Sequence, residues 1–341
     1  MSTQKVLYIE KSKGPFVVSD GPVLKPAAGQ LSVKVISAAL NPVDWKIQAY
    51  DFAVSKYPAI VGTDAAGEVA SVGEGVEGFS KGDKVFFQGF FTNEQATFQQ
   101  YTLVPADLVG IIPSNIDSDQ ASTIPLGFST AAFGLLASHY AGLDPTLEFK
   151  TKHTGEAAVV YGGSTSVGQF AIQIFRLLGY SKIIVNASGR HGEFLKSLGA
   201  TDVIDRTQVP AEKFAETAKK IAGVPIKVVY NSVSDGGEAH STSLATLAEG
   251  GVLVDVDPEK KGSVAGKKVY GVFGSAHVPT NKEFGRVIWK ILPRLVQEGS
   301  IVPNRVEKVP NGLAGIDGGL QKLKNNQVSG VKLIAHPQET A

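Results

Sequence analysis

The 341-residue chain contains no cysteine. Disulfide bonds, thiolate catalysis and every cysteine-based zinc or iron–sulfur site are therefore excluded. Histidine is sparse as well: the chain has 6, and none lies three or four residues from another, so the HExxH type of metal motif is missing. A metal site would have to assemble from distant side chains, and we expect none.

The chain also lacks an excess of charge and a long apolar run. Lys and Arg number 33 and Asp and Glu 32, which gives a net charge of +1. No broad basic surface follows from this balance, and we predict neither a nucleic-acid partner nor a membrane partner. No apolar run reaches about 18 residues, and residues 1–14 lack a signal-peptide core. We therefore expect an intracellular protein, most simply a cytoplasmic one.

Two kinds of pattern divide the chain, and its length suits about two domains. Residues 1–123 contain short segments rich in Val and aromatic residues, separated by Gly and Pro, which is typical of a β-barrel-like domain. In residues 124–278, apolar strands alternate with helical patterns. Such βα units predict an α/β fold, a Rossmann-type doubly wound parallel sheet. We assign residues 279–341 to a C-terminal segment that returns to the first domain.

A glycine-containing turn follows the first apolar strand of the second region, in VVYGGSTSVGQFAIQIFRLLGY (159–180). Two glycines take the first and third positions of a G-x-G-x-x-G dinucleotide-binding turn, and a threonine takes the middle one. Apolar residues at helical spacing follow, which predicts a helix whose N-terminus binds pyrophosphate. The alternative is a structural turn with a serine helix cap. The residues predicted to bind the cofactor phosphates are Gly163, Ser164, Thr165, Ser166, Val167 and Gly168.

The end of the next strand bears on which nicotinamide cofactor binds. NAD sites place an acidic residue about 20 residues after the turn, on the ribose hydroxyls. Here Asn186 takes that position, and Ser188 and Arg190 follow it. A hydroxyl and a guanidinium favour a 2′-phosphate through charge-assisted hydrogen bonds. We therefore predict NADP(H) rather than NAD(H), with the alternative that Arg190 is only a solvated loop charge.

Three stretches resemble the medium-chain dehydrogenase/reductase superfamily: AALNPVDWK (38–46), YPAIVGTDAAGEVASVGEGVEGFSKGDKV (57–85) and IPLGFSTAAFGL (124–135). The resemblance covers nearly the whole chain and implies a GroES-like β-barrel catalytic domain beside the Rossmann domain. Zinc alcohol dehydrogenases of this superfamily carry a Cys in the first stretch and GHE in the second. Here Asn41 and GTD (62–64) stand at those places. The chain resembles instead the zinc-independent quinone oxidoreductase and enoyl reductase branch, most of all fungal trans-acting enoyl reductases.

The resemblance implies hydride transfer from NADPH to the C=C bond of an enone, alkenal or enoyl thioester. Reduction of a quinone is one alternative, and a non-catalytic NADPH-binding interaction or sensor protein is another. By its place in the family pattern, Lys46 faces the nicotinamide cleft and Thr130 offers a hydroxyl on the cofactor side. The competing interpretations are an exposed lysine on a barrel loop and a residue at a helix start.

Weaker matches concern the later strands and the oligomeric state. The resemblance puts Tyr230 and Asn231 near the nicotinamide ribose, and Phe273 and Gly274 near the nicotinamide amide. Asn41 and Asp44 are expected to organise their loop. Phe90 and Phe91 are either substrate-pocket lining or core. Both a monomer and a homodimer stay open; in family dimers the edge strand of the cofactor sheet pairs, here expected at KKVYGVFG (267–274).

Overall fold

The structure is a computed structural model that describes residues 2–150, 152–234 and 236–341. The chain divides into two compact units. Unit 1 comprises Met1–Leu126, Ser275–Gly299 and Pro303–Ala341, and unit 2 comprises Gly127–Gly274 and Ser300–Val302. The sequence prediction placed the two main boundaries at 123 and 278, and the structure places them after 126 and 274.

The strands and helices of the described residues have the following bounds. The strands are β1 (Thr3–Ile9), β2 (Phe16–Pro22), β3 (Gln30–Ala39), β4 (Ala59–Ile60), β5 (Asp64–Val72), β6 (Lys84–Gln88), β7 (Tyr101–Pro105), β8 (Val109–Ile111), β9 (Ala157–Tyr161), β10 (Lys182–Ala187), β11 (Asp202–Asp205), β12 (Val228–Asn231), β13 (Val252–Asp255), β14 (Gly262–Val264), β15 (Lys267–Gly271), β16 (Val306–Lys308) and β17 (Lys332–Ala335). The helices are α1 (Pro42–Tyr50), α2 (Ser118–Ser122), α3 (Pro125–Leu136), α4 (Ser166–Leu177), α5 (Gly192–Leu198), α6 (Ala211–Ala222), α7 (Glu238–Thr246), α8 (Pro279–Gln297) and α9 (Ile316–Lys324).

Unit 1 is built from two mainly antiparallel sheets. One has the order β2-β1-β4, and the other has the order β16-β17-β3-β5-β6-β8 with β7 also paired to β3. Their strands are rich in Val and aromatic residues, and the buried side chains of β1, β3, β5 and β6 form one apolar core. The last strand, β17, pairs with β3 through Ile334 and Ala39, and the C-terminal segment belongs to unit 1 except for Ser300–Val302.

Unit 2 contains one sheet of order β11-β10-β9-β12-β13-β15-β14, in which neighbouring strands run parallel except β14 and β15. Every residue of β9 and β12 is buried, as expected of strands covered on both faces. The predicted helix 164–178 is α4, and the predicted strand 182–187 is β10. The predicted parallel Rossmann-type sheet is thus confirmed.

The strand order of this sheet reverses at β9. The chain proceeds from β9 to β10 and β11 on one side, and then to β12, β13 and β15 on the other. Loops that follow β9 and β12 therefore diverge from one another. In open α/β sheets this reversal creates a crevice outside the carboxyl ends of the strands, where ligands bind. We call this side the carboxyl edge of the sheet.

The structure differs from several interpretations that the sequence allowed. The competing interpretation of Lys46 was a barrel loop, but Lys46 lies in α1, and Asn41 and Asp44, expected to organise a loop, begin that helix. The competing interpretation of Thr130 was a helix start, but Thr130 lies in the middle of α3. Strand β15 is not the edge of its sheet, because Ser263 of β14 pairs with Lys268 and makes β14 the edge strand. This short strand was not predicted, because it lies in the charged, glycine-containing stretch 257–268, which has no apolar run.

Among the described residues, no helix combines the length and the apolar character that crossing a membrane requires.

Candidate cofactor site and candidate active site

The turn after β9 packs so closely that glycine is required. Gly162 has a φ of +83°, in the left-handed region that favours glycine. A Cβ at Gly163 would overlap Val185 of the neighbouring strand, and a Cβ at Gly168 would come 2.5 Å from the Gly162 carbonyl oxygen. The amides of Gly162 and Gly163 both donate to the carbonyl of Asn186, at 3.1 and 2.8 Å. Sequence reasoning missed Gly162, because the motif was counted from the next glycine.

The three hydroxyl residues of the turn have different positions. Thr165 caps α4, since its Oγ1 accepts from the Gly168 amide at 2.9 Å. The expected serine cap is therefore a threonine, and its hydroxyl proton can still be donated. Ser164 is half-buried, and its carbonyl accepts from Gln169 at 3.0 Å. Ser166 and Val167 form the first turn of α4, where amide groups have no intrahelical acceptor. The turn can therefore hold an anion at the start of a 12-residue helix.

Ser232, directly after β12, ties the turn to the next strand. Its Oγ lies 2.7 Å from the Tyr161 carbonyl oxygen and 2.8 Å from that of Gly162. Its amide also donates to Tyr161, at 3.0 Å. Sequence reasoning missed this buried serine. The available signal was a hydroxyl residue at the end of a strand that neighbours the turn-bearing strand.

The loop after β10 offers hydrogen-bond donors. Asn186 is buried, whereas Ser188 is half-buried and Arg190 is exposed in a short 3-10 turn, Gly189–His191. The Nε of Arg190 donates to the His191 ring at 3.3 Å. Across the described ranges, no protein partner is recorded for the terminal nitrogens of Arg190 or for the Ser188 hydroxyl. Both groups can therefore donate to an anionic ligand.

One carboxylate lies beside this loop. Asp205 ends β11 and accepts from the amide and the hydroxyl of Thr207, both at 2.9 Å. These bonds and the Gly189 amide hold the pKa of Asp205 below its ordinary value. Donors of the protein therefore occupy much of the hydrogen-bonding capacity of this carboxylate. In an NAD site, by contrast, the acidic residue accepts from the ribose hydroxyls.

The structure brings Thr130, Tyr230 and Gly274 together. The fully buried Tyr230 donates its hydroxyl to the Thr130 carbonyl at 3.0 Å, and burial raises its pKa well above the ordinary value. A Cβ at Gly274 would overlap the Thr130 hydroxyl, so that side chain faces the backbone after β15. Tyr230 therefore holds α3 against the sheet, and its place near the nicotinamide ribose stays a prediction. Phe273, beside Gly274, is 39% exposed.

Asn231 also has its side chain committed to the protein. Its Nδ2 donates to Asp255 at 2.9 Å, and its Oδ1 accepts from the Val233 amide at 3.1 Å. Asp255 in turn contacts His240. Asn231 thus shapes the loop after β12, and its place near the nicotinamide ribose stays a prediction. Sequence reasoning did not single out Asp255 or His240.

In unit 1, the residues at the places of the zinc ligands form a buried group with a lysine. The ammonium of Lys332, 4% exposed, lies 2.5 Å from Asn41 Oδ1 and 3.2 Å from Asp64 Oδ2. Asn41 Nδ2 donates to Asp64 at 2.9 Å and to Thr63 at 3.2 Å. We call Asn41, Thr63, Asp64 and Lys332 the lysine cluster. Sequence reasoning missed Lys332, whose only signal is a charge inside the apolar strand β17.

The lysine cluster does not fit a zinc ion. Protein zinc sites use thiolates, imidazoles and carboxylates in a tetrahedral arrangement. Here one carboxylate faces an ammonium, and both ends of the Asn41 amide are engaged. Within the part of the chain that the structure describes, no group of three or more His, Cys, Asp or Glu residues could hold a metal ion.

Asp44 joins the lysine cluster to α1. Its Oδ2 accepts from the Asn41 amide at 2.8 Å and so begins the helix. Burial raises the pKa of Asp44 to about 8; the Asn41 amide opposes this shift, and the nearby Asp64 charge adds to it. Asp44 is therefore protonated at neutral pH. Its protonation leaves one anion, Asp64, opposite one cation, Lys332.

Lys46 extends from the same helix. It is half-buried, and its Nζ lies 5.8 Å from the centre of the Trp45 ring. Lys324 of α9 lies at the same distance from that ring. Over residues 2–150, 152–234 and 236–341, no hydrogen bond or ion pair is recorded for the Lys46 ammonium. Its position is therefore compatible with binding an anionic or carbonyl oxygen of a ligand.

A cavity of about 190 Å³ lies in unit 1 beside the C-terminal turns of α1. Ile47, Ile60 and Phe91 line it, and Phe91 also packs against the core. Phe90 instead stacks on His277 at 5.0 Å between ring centres. Phe91 therefore lines this cavity and packs against the core at the same time.

Two family models match the chain. Residues 27–114 match the alcohol dehydrogenase GroES-like domain, and residues 166–272 match the domain described as zinc-binding dehydrogenase. A dehydrogenase, azaJ, from Aspergillus niger is 30% identical over 98% of this chain and 99% of its own. The chain belongs to the medium-chain dehydrogenase/reductase superfamily. The predicted family is thus confirmed.

Further relatives and solved structures support this assignment. The trans-enoyl reductase resD from Aspergillus sclerotiorum is 30% identical over 93% of this chain and 96% of its own. An alcohol dehydrogenase superfamily protein from Novosphingobium aromaticivorans has a TM-score of 0.79 and 29% identity, covering 97% of this chain and 99% of its own. The quinone oxidoreductase from Coxiella burnetii shares the fold, with a TM-score of 0.74 and 21% identity over 98% and 99%. This medium-chain dehydrogenase/reductase is therefore an oxidoreductase, in a superfamily that generally binds NAD(P)H.

We predict that Asp44→Asn stabilises unit 1 increasingly as the pH rises. An acid whose folded pKa is raised from about 4 to about 8 contributes stability in full below pH 4, and this contribution is lost progressively as the pH rises from about 4 to about 8. Asparagine keeps an acceptor for the Asn41 amide and has no proton to lose. The gain over the wild type should grow by on the order of 3 kcal/mol between pH 5 and pH 7.5.

Denaturant unfolding followed by tryptophan fluorescence measures this gain, because both tryptophans, Trp45 and Trp289, belong to unit 1. The exposed Asp20→Asn is the matched control and should show no such growth. A gain for Asp44→Asn that is the same at both pH values would contradict the prediction.

We predict that activity survives EDTA and stronger chelators, and that the purified protein carries no stoichiometric zinc, because the lysine cluster supplies no ligand set for it. Elemental analysis and turnover assays before and after chelation check this. One zinc per chain that turnover requires would refute it.

Proposed function

We propose that the protein is an NADPH-dependent reductase that transfers hydride to the C=C bond of an α,β-unsaturated carbonyl compound: an enone, a 2-alkenal or an enoyl thioester. The observation that carries this proposal is the lysine cluster at the place of the zinc ligands. Alcohol oxidation in zinc enzymes relies on a metal that polarises the oxygen. Without fitting ligands, a reaction that needs only cofactor, hydrogen-bond donors and a proton source is favoured.

The named relatives support the same class of reaction. Besides resD, a trans-enoyl reductase from Alternaria alternata, ACTTS2, is 29% identical over 98% of this chain and 99% of its own. Both names refer to reduction of a C=C bond. Two relatives of this kind, each matched over nearly its full length, favour an enoyl-type acceptor over a quinone. The named quinone oxidoreductase has a lower identity, 21%, and supports the fold.

For the cofactor, we propose the residues at the carboxyl edge of unit 2. The turn from Gly162 to Gly168 would hold the pyrophosphate at the start of α4. Ser188 and Arg190 would donate to the 2′-phosphate, because neither has its donors fully engaged by the protein. Bound NADPH would supply the hydride.

For the chemical step, we propose Lys46 and Thr130. Hydride adds to the β-carbon of the acceptor, negative charge develops on the carbonyl oxygen, and a proton then goes to the α-carbon. The Lys46 ammonium would donate to that oxygen or orient the nicotinamide ribose. Thr130 would hold the cofactor side of the site, beside the backbone of Phe273 and Gly274.

A screen that follows NADPH absorbance tests the function. It compares 2-alkenals, enones, enoyl thioesters and quinones as acceptors. Turnover with the first three classes is the expected result. Turnover with quinones alone would contradict the proposal and identify the protein as a quinone reductase. Tight NADPH binding without turnover on any acceptor would leave a binding or sensor protein.

We predict that Arg190→Ala weakens binding of NADPH but not of NADH. Loss of one charge-assisted contact to the 2′-phosphate corresponds to roughly a tenfold to hundredfold loss of affinity. Fluorescence titration with both cofactors measures it. Lys196→Ala, which removes an exposed charge of α5, is the control and should change neither affinity. An equal loss for both cofactors would argue against the 2′-phosphate contact.

We predict that Lys46→Ala lowers kcat on the best acceptor by on the order of 10²–10³ while NADPH binding changes less. Lys46→Arg should not rescue fully, because a planar guanidinium aims its donors differently from an ammonium. The control is Lys324→Ala, which removes the other ammonium at 5.8 Å from Trp45. Steady-state kinetics and NADPH titration separate the two effects. A wild-type kcat for Lys46→Ala would remove Lys46 from the mechanism.

A further inference from the structure

Asp255 is a buried carboxylate at the carboxyl edge of unit 2, at the last position of β13. It is 1% exposed. Its Oδ2 accepts from Asn231 Nδ2 and contacts His240 Nδ1, both at 2.9 Å, and its Oδ1 accepts from the Asp257 amide at 2.9 Å. Burial of a carboxylate is costly unless several donors compensate it. Three donors from three different chain positions supply that compensation.

His240 lies in the first turn of α7, the helix that follows β12 and its loop. Its side chain is 18% exposed. Because a carboxylate only accepts, the Nδ1 of His240 carries the proton and donates it to Asp255. Among the described residues, no hydrogen-bond partner is recorded for Nε2. The Nδ1 bond is thus the polar contact through which His240 acts on the protein.

Hydrogen bonds from His240 fix the residues on both sides of Ser232, and Ser232 in turn bonds to the phosphate turn. His240 donates to Asp255, and Asp255 also accepts from the side-chain Nδ2 of Asn231. The Oδ1 of the same Asn231 side chain accepts from the backbone amide of Val233 at 3.1 Å. Ser232 lies between these two fixed positions. Its hydroxyl contacts the carbonyls of Tyr161 and Gly162, which start the turn.

We propose that Asp255 and His240 are positioning residues for dinucleotide binding: they fix residues 231–233 so that Ser232 holds the phosphate turn in its binding conformation. An apolar pair would fill the same space at lower desolvation cost. The directional bonds instead fix the backbone at the edge where a ligand binds. Neither side chain touches the cofactor in this role.

The proposal rests on the proposed cofactor site. Its effect on cofactor affinity can be distinguished from the effect of losing the Arg190 contact. The network ends at the turn for the pyrophosphate, which NADPH and NADH share. Disruption should therefore weaken both cofactors by the same factor, whereas loss of the 2′-phosphate contact affects NADPH alone. Saturating cofactor restores the turn, so kcat and the KM of the acceptor should stay unchanged.

The test compares three substitutions of His240. His240→Leu removes the donor, and both cofactors should bind about tenfold more weakly. In His240→Asn, the side-chain amide places an N–H near the position of Nδ1, and affinity should stay within about threefold of the wild type. In His240→Gln, the amide reaches the position of Nε2 instead, and the loss should match that of Leu.

The matched control is His153→Leu at the opposite, amino edge of the same sheet. His153 also contacts a carboxylate through Nδ1, that of Glu156 at 3.1 Å, and its loss should change neither affinity. Thermal melting accompanies each titration, and the Asn and Gln variants keep the test decisive if His240→Leu does not fold.

Two results would overturn the inference alone while wild-type binding is normal. One is unchanged affinity in His240→Gln, and the other is a loss in His240→Asn as large as in His240→Gln, which would give the imidazole itself a direct contact. Failure of the wild-type protein to bind either cofactor would overturn the proposed cofactor site, and this inference with it.

Discussion

The buried ammonium of Lys332 is the constraint on which the assembly of unit 1 depends. It faces Asn41, which begins α1, and Asp64, which begins β5. The other oxygen of Asp64 accepts from the Leu126 amide at 2.7 Å, in the first turn of α3. Removing one partner of a buried ion pair leaves an uncompensated charge, which is strongly destabilising. Four separate parts of the chain must therefore meet correctly around one charge.

The same physical rule operates in unit 2 with the opposite sign. There a buried carboxylate, that of Asp255, has donors from β12, α7 and the loop after β13 around it. Both units thus bury a charged group close to residues that the sequence pattern associates with function. A fully satisfied polar network fixes backbone direction more closely than apolar packing does. The candidate ligand-binding groups lie next to these two networks. Lys46 lies in the helix that Asn41 begins, and the phosphate turn is bonded to Ser232, which follows Asn231.

Elements with a local signal were predictable from the sequence. Strand β10 has the predicted bounds 182–187, because a buried parallel strand is a continuous apolar run between turn residues. Helix α1 was missed although Asn41, Pro42 and Asp44 form a helix-start pattern. Its apolar stripe is weak, so the periodicity of apolar residues gave no sign of a helix. Strand β14 was missed because all its residues are exposed.

Side-chain partners over long distances were not predictable. Lys332 and Asn41 are 291 residues apart, and no periodicity links them. The apolar run of β12 placed Tyr230 near the end of a strand, but no pattern shows the direction of its side chain, whose hydroxyl points to α3. The motif was counted from Gly163, and the dihedral angle is what shows that Gly162 takes the left-handed conformation. The spacing of residues therefore predicted which residues lie at the carboxyl edge of the sheet. Their side-chain hydrogen bonds could be identified only in the structure.

The interrupted composition of unit 1 has a consequence for the order in which the two units fold during translation. Asp64 leaves the ribosome long before Lys332, and at typical synthesis rates the interval is on the order of tens of seconds. During that time unit 2, apart from residues 300–302, becomes complete as one continuous stretch. Unit 1 still lacks β17 and the cation that its buried carboxylate needs. We therefore expect the cofactor-binding sheet to fold first on the nascent chain, and the N-terminal barrel to close last, when β17 pairs with β3.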